Sequence, residues 1–375
     1  MNLEEYAAKQ SVLVPAGVPT PRGVVCRSAE EASNAVAKIG PSVVKAQVPT
    51  GKRGKSGGIK MADSPEQGAA AARAILGMTI GGSRVERVLV EERCPIEREL
   101  YAAVLIDVNS RSPLVLFSTE GGMDIEEVAE QKPGAIRRHV VDLKHGFNAP
   151  DAVALLSGLD LGSAAGAVAD VLVKLYRVFC EKDAELVEIN PLAILRGGKV
   201  VALDCKFVLD DASTLRQPEL AKVSSPPKMT DLEQRGATHG LRFIQLDGNV
   251  GVLANGAGLT MTTMDVIDHF GGKPANFLEI GGEAYTKAEM ALDLVLSNPG
   301  VKSLVVNFCG AFARTDVMAE GVVRAWENLK PKVPAFFSIH GTGEDEAVKL
   351  VRERLGIEPY DFMEDAVKAA VEAAK

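Results

Sequence analysis

Cysteine is sparse in this chain and placed for neither a framework nor a ribbon. The five, Cys26, Cys94, Cys180, Cys205 and Cys309, are scattered, odd in number and form no CxxC pair. That argues against a disulfide scaffold or a zinc site and favours reduced thiols in a cytosol. No apolar run approaches the roughly 20 residues of a membrane span. No charged leader precedes an apolar stretch, so no signal peptide is expected. No GxxxxGK[ST] element opens a helix, which argues against a P-loop. Positive charge is in the minority: 42 Lys and Arg against 50 Asp and Glu leave a net charge of -8, with a pI near 5.4. Nucleic acid is therefore not expected as a main partner. What remains is a chain of 375 residues, 46% hydrophobic and 25% charged, enough to bury two or three cores.

The most informative segment is Val187-Glu188-Ile189-Asn190-Pro191-Leu192 with the strand-like Val200 to Lys206 that follows it. Side chains on a strand repeat every second residue, so Glu188 and Asn190 share a face. Arg196-Gly197-Gly198-Lys199 reads as the turn of a hairpin, which brings Asp204 opposite them. A carboxylate, an amide and a second carboxylate in this arrangement are hard oxygen ligands suited to Mg²⁺ on a nucleotide triphosphate. A solvated polar face of a hairpin has the same signature, so context has to decide.

That context lies upstream. Ser42 to Val48 reads as an apolar strand carrying one cation, Lys45, and Gly51-Lys52-Arg53-Gly54-Lys55-Ser56-Gly57-Gly58 follows it. Glycines let backbone N–H groups approach phosphate oxygens, and Lys45, Lys52, Arg53 and Lys55 can neutralise them. A mobile surface hairpin would read similarly. Arg87 to Glu92 and Glu97 to Asp107 are two further strands, and the segment between them, around Cys94, can offer backbone groups to a base edge. Taken singly, Glu91 and Glu99 read as solvated acids.

Composition also divides the chain. Val18 to Gly23 separates a first helix from an α/β segment, Glu66 to Leu76 is an alanine-rich helix after Pro65, and Asp151 to Glu181 is a helical region rich in small residues. Ser224-Ser225-Pro226-Pro227-Lys228 breaks the chain and reads as the main linker. Beyond it, strand, glycine turn and helix repeat three times: Val250 to Phe270, Ala275 to Leu296, and Ser303 to Leu329. Such βα repeats predict a parallel sheet with ligands at the carboxyl ends of its strands. The helix from about Asp316 can hold an anion at its amino end, or can simply follow an ordinary capped turn.

In this order the elements resemble the ATP-grasp fold, and more narrowly the β-subunit family of succinyl-CoA synthetase, the ADP- or GDP-forming succinate–CoA ligase. The resemblance rests on Met1 to Gln10, Arg53 to Lys60, Ser118 to Glu126, Glu188 to Leu192, Leu246 to Gly251, Asn255 to Leu259 and Gly271 to Leu278. It implies an α/β chain with an ATP-grasp domain over residues 1–225, including a subdomain at about 20–105, and a flavodoxin-like CoA-ligase domain over 240–375. It further implies that Lys45, Lys52, Arg53 and Gly54 contact phosphates, that Glu91, Cys94 and Glu99 line the base and ribose side, and that Asn190 and Asp204 hold Mg²⁺. Glu188 matches the catalytic glutamate that orients a phosphohistidine. That histidine, and most of the CoA site, are expected on a partner α subunit, since His139, His145, His239, His269 and His340 all lack the family's Gly-His-Ala-Gly setting.

The small carboxylic acid is expected against Asn255 and the Ala311-Phe312-Ala313-Arg314 loop. There the sequence departs from the family pattern: Gly-Ile-Val before the arginine is here Ala311-Phe312-Ala313, a triple glycine is reduced to Gly281-Gly282-Glu283, and Arg-Leu-Glu-Gly reads Ser338-Ile339-His340-Gly341. Three readings follow: a succinate–CoA ligase subunit using Mg²⁺, ATP or GTP, and CoA; a sister ligase for malate or a sulfonated acid such as sulfoacetate; or a non-catalytic nucleotide-binding regulator. Retention of Lys45, Glu188, Asn190 and Asp204 together speaks against the last. No nucleic acid or membrane partner is implied.

Overall fold

The computed structural model describes the chain apart from Lys52, Pro227, Lys228 and residues 281–283, and apart from the side chains of Ala284 and Tyr285. It divides into two compact units, Met1–Pro227 and Lys228–Lys375.

Among the described residues two antiparallel sheets, with a two-stranded ribbon of Thr79–Ile80 and Ser83–Arg84 besides, build the first unit. Among the described residues the larger has eight strands, running Ile136–Val140, Ser112–Ser118, Ile96–Asp107, Ala184–Leu195, Lys206–Leu209, Asn2–Leu3 and Ser224–Ser225, with Val200–Ala202 also paired to Ala184–Leu195. Helix Ala165–Glu181 repeats apolar residues at helical spacing. It buries Val168, Leu172, Leu175 and Phe179 against Phe117, Val187, Ile189 and Phe207 of the sheet.

The smaller sheet orders Gly23–Cys26, Val88–Glu92, Ser42–Ala46 and Ile59–Ala62. Helices Ala29–Ile39 and Pro65–Ile75 cover it, each started by a serine whose hydroxyl accepts a backbone N–H three residues on. They pack closely enough that a Cβ on Gly68 would lie 2.6 Å from Val36 Cγ2. This sheet ends at Glu92. The next strand, Ile96–Asp107, enters the larger sheet, where it lies against Ala184–Leu195 along most of its length.

Ser224 and Ser225, expected to open a linker, instead form an edge strand on Asn2–Leu3. Backbone pairing explains the difference: two serines carry no apolar signal, but the edge of Asn2–Leu3 offers them hydrogen-bond partners. Pro227 and Lys228 of that expected linker lie outside the described residues.

In the second unit the sheet order is Phe243–Gln245, Asn276–Ile280, Val250–Asn255, Ser303–Gly310 and Ala335–Gly341. The first strand is antiparallel and the others are parallel. Numbered along the chain, the parallel strands run 2-1-3-4, the flavodoxin-like order. Helices Ala257–His269 and Met363–Ala373 pack on one face and Ala284–Leu296 and Thr315–Leu329 on the other. The carboxyl ends of the strands therefore come together at Asn255, Ile280, Gly310 and Gly341.

Candidate active site

The hairpin that carries the expected carboxylates forms as its sequence requires. Leu192 pairs with Ala202 and Ile194 with Val200, and Leu195 N–H donates to Lys199 O at 2.8 Å across the glycine turn. Glu188 pairs with Lys206 in the same register. Continuing it through the irregular Leu203–Cys205 places Asp204 opposite Asn190 on the facing segment.

Asn190 is held by a loop the sequence did not connect to it. Its Oδ1 accepts Gly122 N–H and its Nδ2 donates to Met123 O, both at 2.8 Å. The loop reaches it because Gly121 and Gly122 run tight over strand Ile96–Asp107. A Cβ on Gly121 would stand 2.4 Å from the Leu100 backbone, and one on Gly122 would stand 2.0 Å from Glu99 Oε2. Gly122 also has φ +72°, a left-handed conformation that glycine adopts freely. Glu99 is exposed beneath these glycines.

Glu188 is partly buried and accepts the Tyr101 hydroxyl proton at 3.3 Å. Burial pushes its carboxyl above the ordinary glutamate value, against the opposing pull of Lys206 and the Tyr101 hydrogen bond. Tyr101, itself 2% exposed, was not singled out from sequence. The strand alternation Glu99-Leu100-Tyr101 looks like core, and no signal marks its hydroxyl.

Beside the hairpin lies a cluster of three cations and three acids, buried except for the partly exposed Asp204. Lys45 Nζ donates to Glu5 Oε1 at 3.0 Å, Glu91 Oε2 at 2.6 Å and Leu203 O at 2.7 Å. Lys9 Nζ donates to Glu5 Oε1, Glu91 Oε1 and Leu203 O, each at 2.7 Å. Arg53 completes it, with one guanidinium nitrogen 2.6 Å from Glu5 Oε2 and the other at 2.6 and 2.5 Å from the two oxygens of Asp204. Burial alone would raise the Glu5 carboxyl, but Lys45, Lys9 and Arg53 together hold it well below the ordinary range. Burial likewise pushes Lys45 down, and Glu5, Glu91 and Asp204 more than offset it. Equal numbers of charges with saturated hydrogen bonds make such burial tolerable.

Three expectations read differently here. Arg53, expected in a cationic loop open to phosphate, is 7% exposed and points inward. Glu91, expected beside a base or ribose, gives both carboxylate oxygens to lysines. Lys45 has all three ammonium donors engaged by protein. In each case a buried opposite charge outcompetes water, which local sequence does not reveal. Gly54 is exposed at the turn, and Lys52 lies outside the described residues. Cys94 is half-buried beside Ala193, Leu195 and Val201, where burial raises its thiol.

Sequence reasoning does not place Glu5 and Lys9 in this cluster. Their i, i+4 spacing was visible, but on a helix it ordinarily marks a surface pair. Here the short helix Glu5–Ala8 passes directly into a π-turn over Lys9–Leu13, and both side chains face the interior.

The donor set fits a magnesium ion. Asn190 Oδ1 and the Asp204 carboxylate are hard oxygens, and each retains a lone pair beyond the contacts above. Among the described residues no group of three or more His, Cys, Asp or Glu gathers to enclose a metal by itself. A two-ligand site shared with phosphate and water has that character.

In the second unit, Asn255 Nδ2 donates to Cys309 O at 2.8 Å and its Oδ1 accepts Cys309 N–H at 2.9 Å. The next residues turn sharply: a Cβ on Gly310 would come 2.1 Å from Ala313 O, and Ala311 O accepts the Thr342 hydroxyl at 2.8 Å. Phe312 projects with its side chain entirely exposed. Arg314 turns onto Asp316 at 3.0 and 2.9 Å, at the start of helix Thr315–Leu329. Residues 281–283, where the shortened glycine run was noted, lie outside the described residues.

Comparison with known proteins agrees with this architecture. An ATP-grasp domain family matches residues 2–194 and a CoA-ligase family matches residues 253–372. The chain is 42% identical to the β subunit of a GDP-forming succinate–CoA ligase from Thermus thermophilus, over 99% of this chain and 98% of that one. It is 44% identical to the β subunit of an ADP-forming succinate–CoA ligase from Rubrobacter xylanophilus, over 100% and 99%. Among solved structures, an ATP citrate lyase from Methanothrix soehngenii with citrate and coenzyme A shares the fold, with a TM-score of 0.69 at 23% identity over 99% of both chains. With an ATP-grasp half, a CoA-ligase half and relatives above 40% identity along its whole length, the chain belongs to the β-subunit family of succinate–CoA ligases.

Proposed function

We propose that this chain binds a Mg-nucleotide in its first unit and uses it to phosphorylate a histidine on a partner α subunit, from which the phosphate passes to a small carboxylic acid and CoA displaces it. The observation that carries this reading is the juxtaposition of Glu188, Asn190 and Asp204 on one hairpin, backed by Lys45 and Arg53. Splitting one hard acylation into phosphoryl transfers makes each step easier.

Asn190 and Asp204 would hold Mg²⁺, whose charge offsets that of the nucleotide phosphates when bound. Lys45, Arg53 and the backbone near Gly54 neutralise phosphate oxygens, and Lys52 joins them from sequence. Lys45 reaches the phosphates by exchanging protein acceptors for phosphate oxygens, while Arg53 adds its charge from its place on Glu5 and Asp204. The Glu91–Cys94 segment meets the base through its backbone, with Glu99 towards the ribose. Glu188 orients the incoming histidine from its half-buried place beside Tyr101.

The acid sits at the carboxyl edge of the parallel sheet, against Asn255, Ala311, Phe312, Ala313 and Arg314. Most of the CoA site belongs to the α subunit, and the pair works in the cytoplasm. No described helix is long and apolar enough to cross a membrane. The exposed Phe312 side chain favours one second reading, a sister ligase for a different small acid such as malate or sulfoacetate.

The test is CoA-dependent nucleoside diphosphate formation by this chain co-expressed with its α subunit, using Mg-ATP and Mg-GTP across succinate, malate and sulfoacetate. Turnover with succinate supports the first reading and turnover confined to another acid the second. Silence across the panel, with nucleotide still bound, returns the regulatory reading.

A further inference from the structure

Lys9 duplicates the bonds of Lys45. Both ammonium groups donate to Glu5 Oε1, both to Leu203 O, and each takes one oxygen of Glu91. One lysine would pair either acid in a static core, so the second has to be explained. The two differ in access: the Lys9 side chain is 2% exposed and the Lys45 side chain 11%. Lys45 stands on the open side, and Lys9 is sealed behind it.

The duplication matters only if Lys45 leaves. A lysine that turns its ammonium towards a phosphate abandons its former acceptors, and a buried carboxylate left without a cation is strongly destabilising. Glu5 would keep Arg53 on its other oxygen, but Glu91 has only the two lysines among its described side-chain partners. With Lys9 in place, Glu5 Oε1, Glu91 and Leu203 O each keep a donor after Lys45 moves.

We propose that Lys9 is a positioning residue, a standing counter-ion that keeps Glu5, Glu91 and Leu203 O satisfied while Lys45 is lent to the nucleotide polyphosphate. This rests on the reading of Lys45 as a phosphate contact. It makes Lys9 part of nucleotide affinity although it is sealed from the ligand.

The test uses the co-expressed pair carrying Lys9→Met, Lys9→Arg, the charge-balanced double variant Lys9→Met with Glu5→Gln, and Lys45→Met as control. Mg-ADP affinity is read by calorimetry, melting temperature with and without Mg-ADP, and KM separately for nucleotide and acid. Lys9→Met is expected to weaken Mg-ADP and raise nucleotide KM about tenfold or more, the loss of a charged hydrogen bond. KM for the acid stays near wild type, and Lys9→Arg recovers most of the nucleotide affinity. If Lys9→Met does not fold, the double variant, which keeps cations and acids equal, is expected to show the same nucleotide defect. A folded Lys9 variant with wild-type affinity overturns the proposal, as does failure of both Met variants to fold, since Lys9 is then a scaffold residue alone. If Lys45→Met also leaves affinity unchanged, the underlying reading of Lys45 fails instead.

Discussion

The hydroxyl of Tyr101 donates to Glu188 across two neighbouring strands, at 3.3 Å, inside the sheet that carries the candidate magnesium ligands. The bond favours the charged carboxylate against burial, which favours the neutral one. Tyr101→Phe keeps the ring in its buried site and removes only this support. Its expected effect is a fall in kcat of about 10- to 100-fold, from a hydrogen bond to a charged group worth roughly 1.5–3 kcal/mol. Nucleotide affinity should hold within a few-fold. Glu188→Gln should lower kcat further with the same split, and a variant that weakened only ATP binding would contradict the catalytic role.

Glu5 ties acid stability to the charge cluster. Its folded carboxyl lies well below the ordinary value, held there by Lys45, Lys9 and Arg53 against burial. A depressed carboxyl contributes stability above the unfolded glutamate value, near pH 4.3, and that contribution drains away as pH falls towards the folded value. Glu5→Gln leaves three cations facing two acids, and breaking a buried pair in this way costs about 3–5 kcal/mol. Unfolding free energies from urea titration at pH 7 should separate wild type from variant by that margin, and the gap should narrow below about pH 4. A gap that stayed constant with pH would sink the assignment.

Gly121 has no room for a side chain, since its Cβ would lie 2.4 Å from the Leu100 backbone. Gly121→Ala must push the Ser118–Asp124 segment off the strand and loosen Gly122 and Met123 from Asn190. The expected result is a loss of about 1–3 kcal/mol, as for other overpacked sites, together with weaker Mg²⁺ dependence of nucleotide binding. Unchanged magnesium titration in a destabilised variant would show that the loop does not hold Asn190 in place.

Phe312 touches nothing in its own chain that its removal would damage, being fully exposed. Phe312→Ile should therefore change stability by less than about 0.5 kcal/mol. Its effect belongs to the acid: the ratio of kcat/KM for succinate to that for malate or sulfoacetate is expected to shift by about tenfold, the scale of a pocket contact. An unchanged ratio would remove Phe312 from the specificity loop.

How much could be read beforehand depended on whether the signal was local. The Glu188–Asn190 strand, its glycine turn and the βα repeats after Asn249 announce themselves by alternation, by Gly197-Gly198 and by strand-to-helix spacing, and the structure has those elements. The βα units also dictate the parallel order, because short right-handed crossovers leave few alternatives. The burial of Arg53, Glu91, Glu5 and Lys9 is not legible locally, for one reason. Each is polar, and a polar residue in isolation reads as solvated; partners as far as 194 residues away keep them dry. Ser224–Ser225 gives the same lesson for backbone, since a strand can form on hydrogen bonds alone.

The strand Asn2–Leu3 lies between Lys206–Leu209 and Ser224–Ser225, and that placement sets an order of events during synthesis. Asn2 and Leu3 wait for nearly the last residues of their unit before the sheet can close around them. At about 5–20 residues per second, the roughly 200 intervening residues take about 10–40 s to emerge. Through that interval Glu5 and Lys9 stay in water, where their charges cost nothing, and they dry only when Leu203 and Asp204 arrive. The buried charge cluster is thus among the last parts of the first unit to be assembled, and a nascent chain truncated before Leu203 should expose Lys9 to acylating reagents that the finished protein excludes.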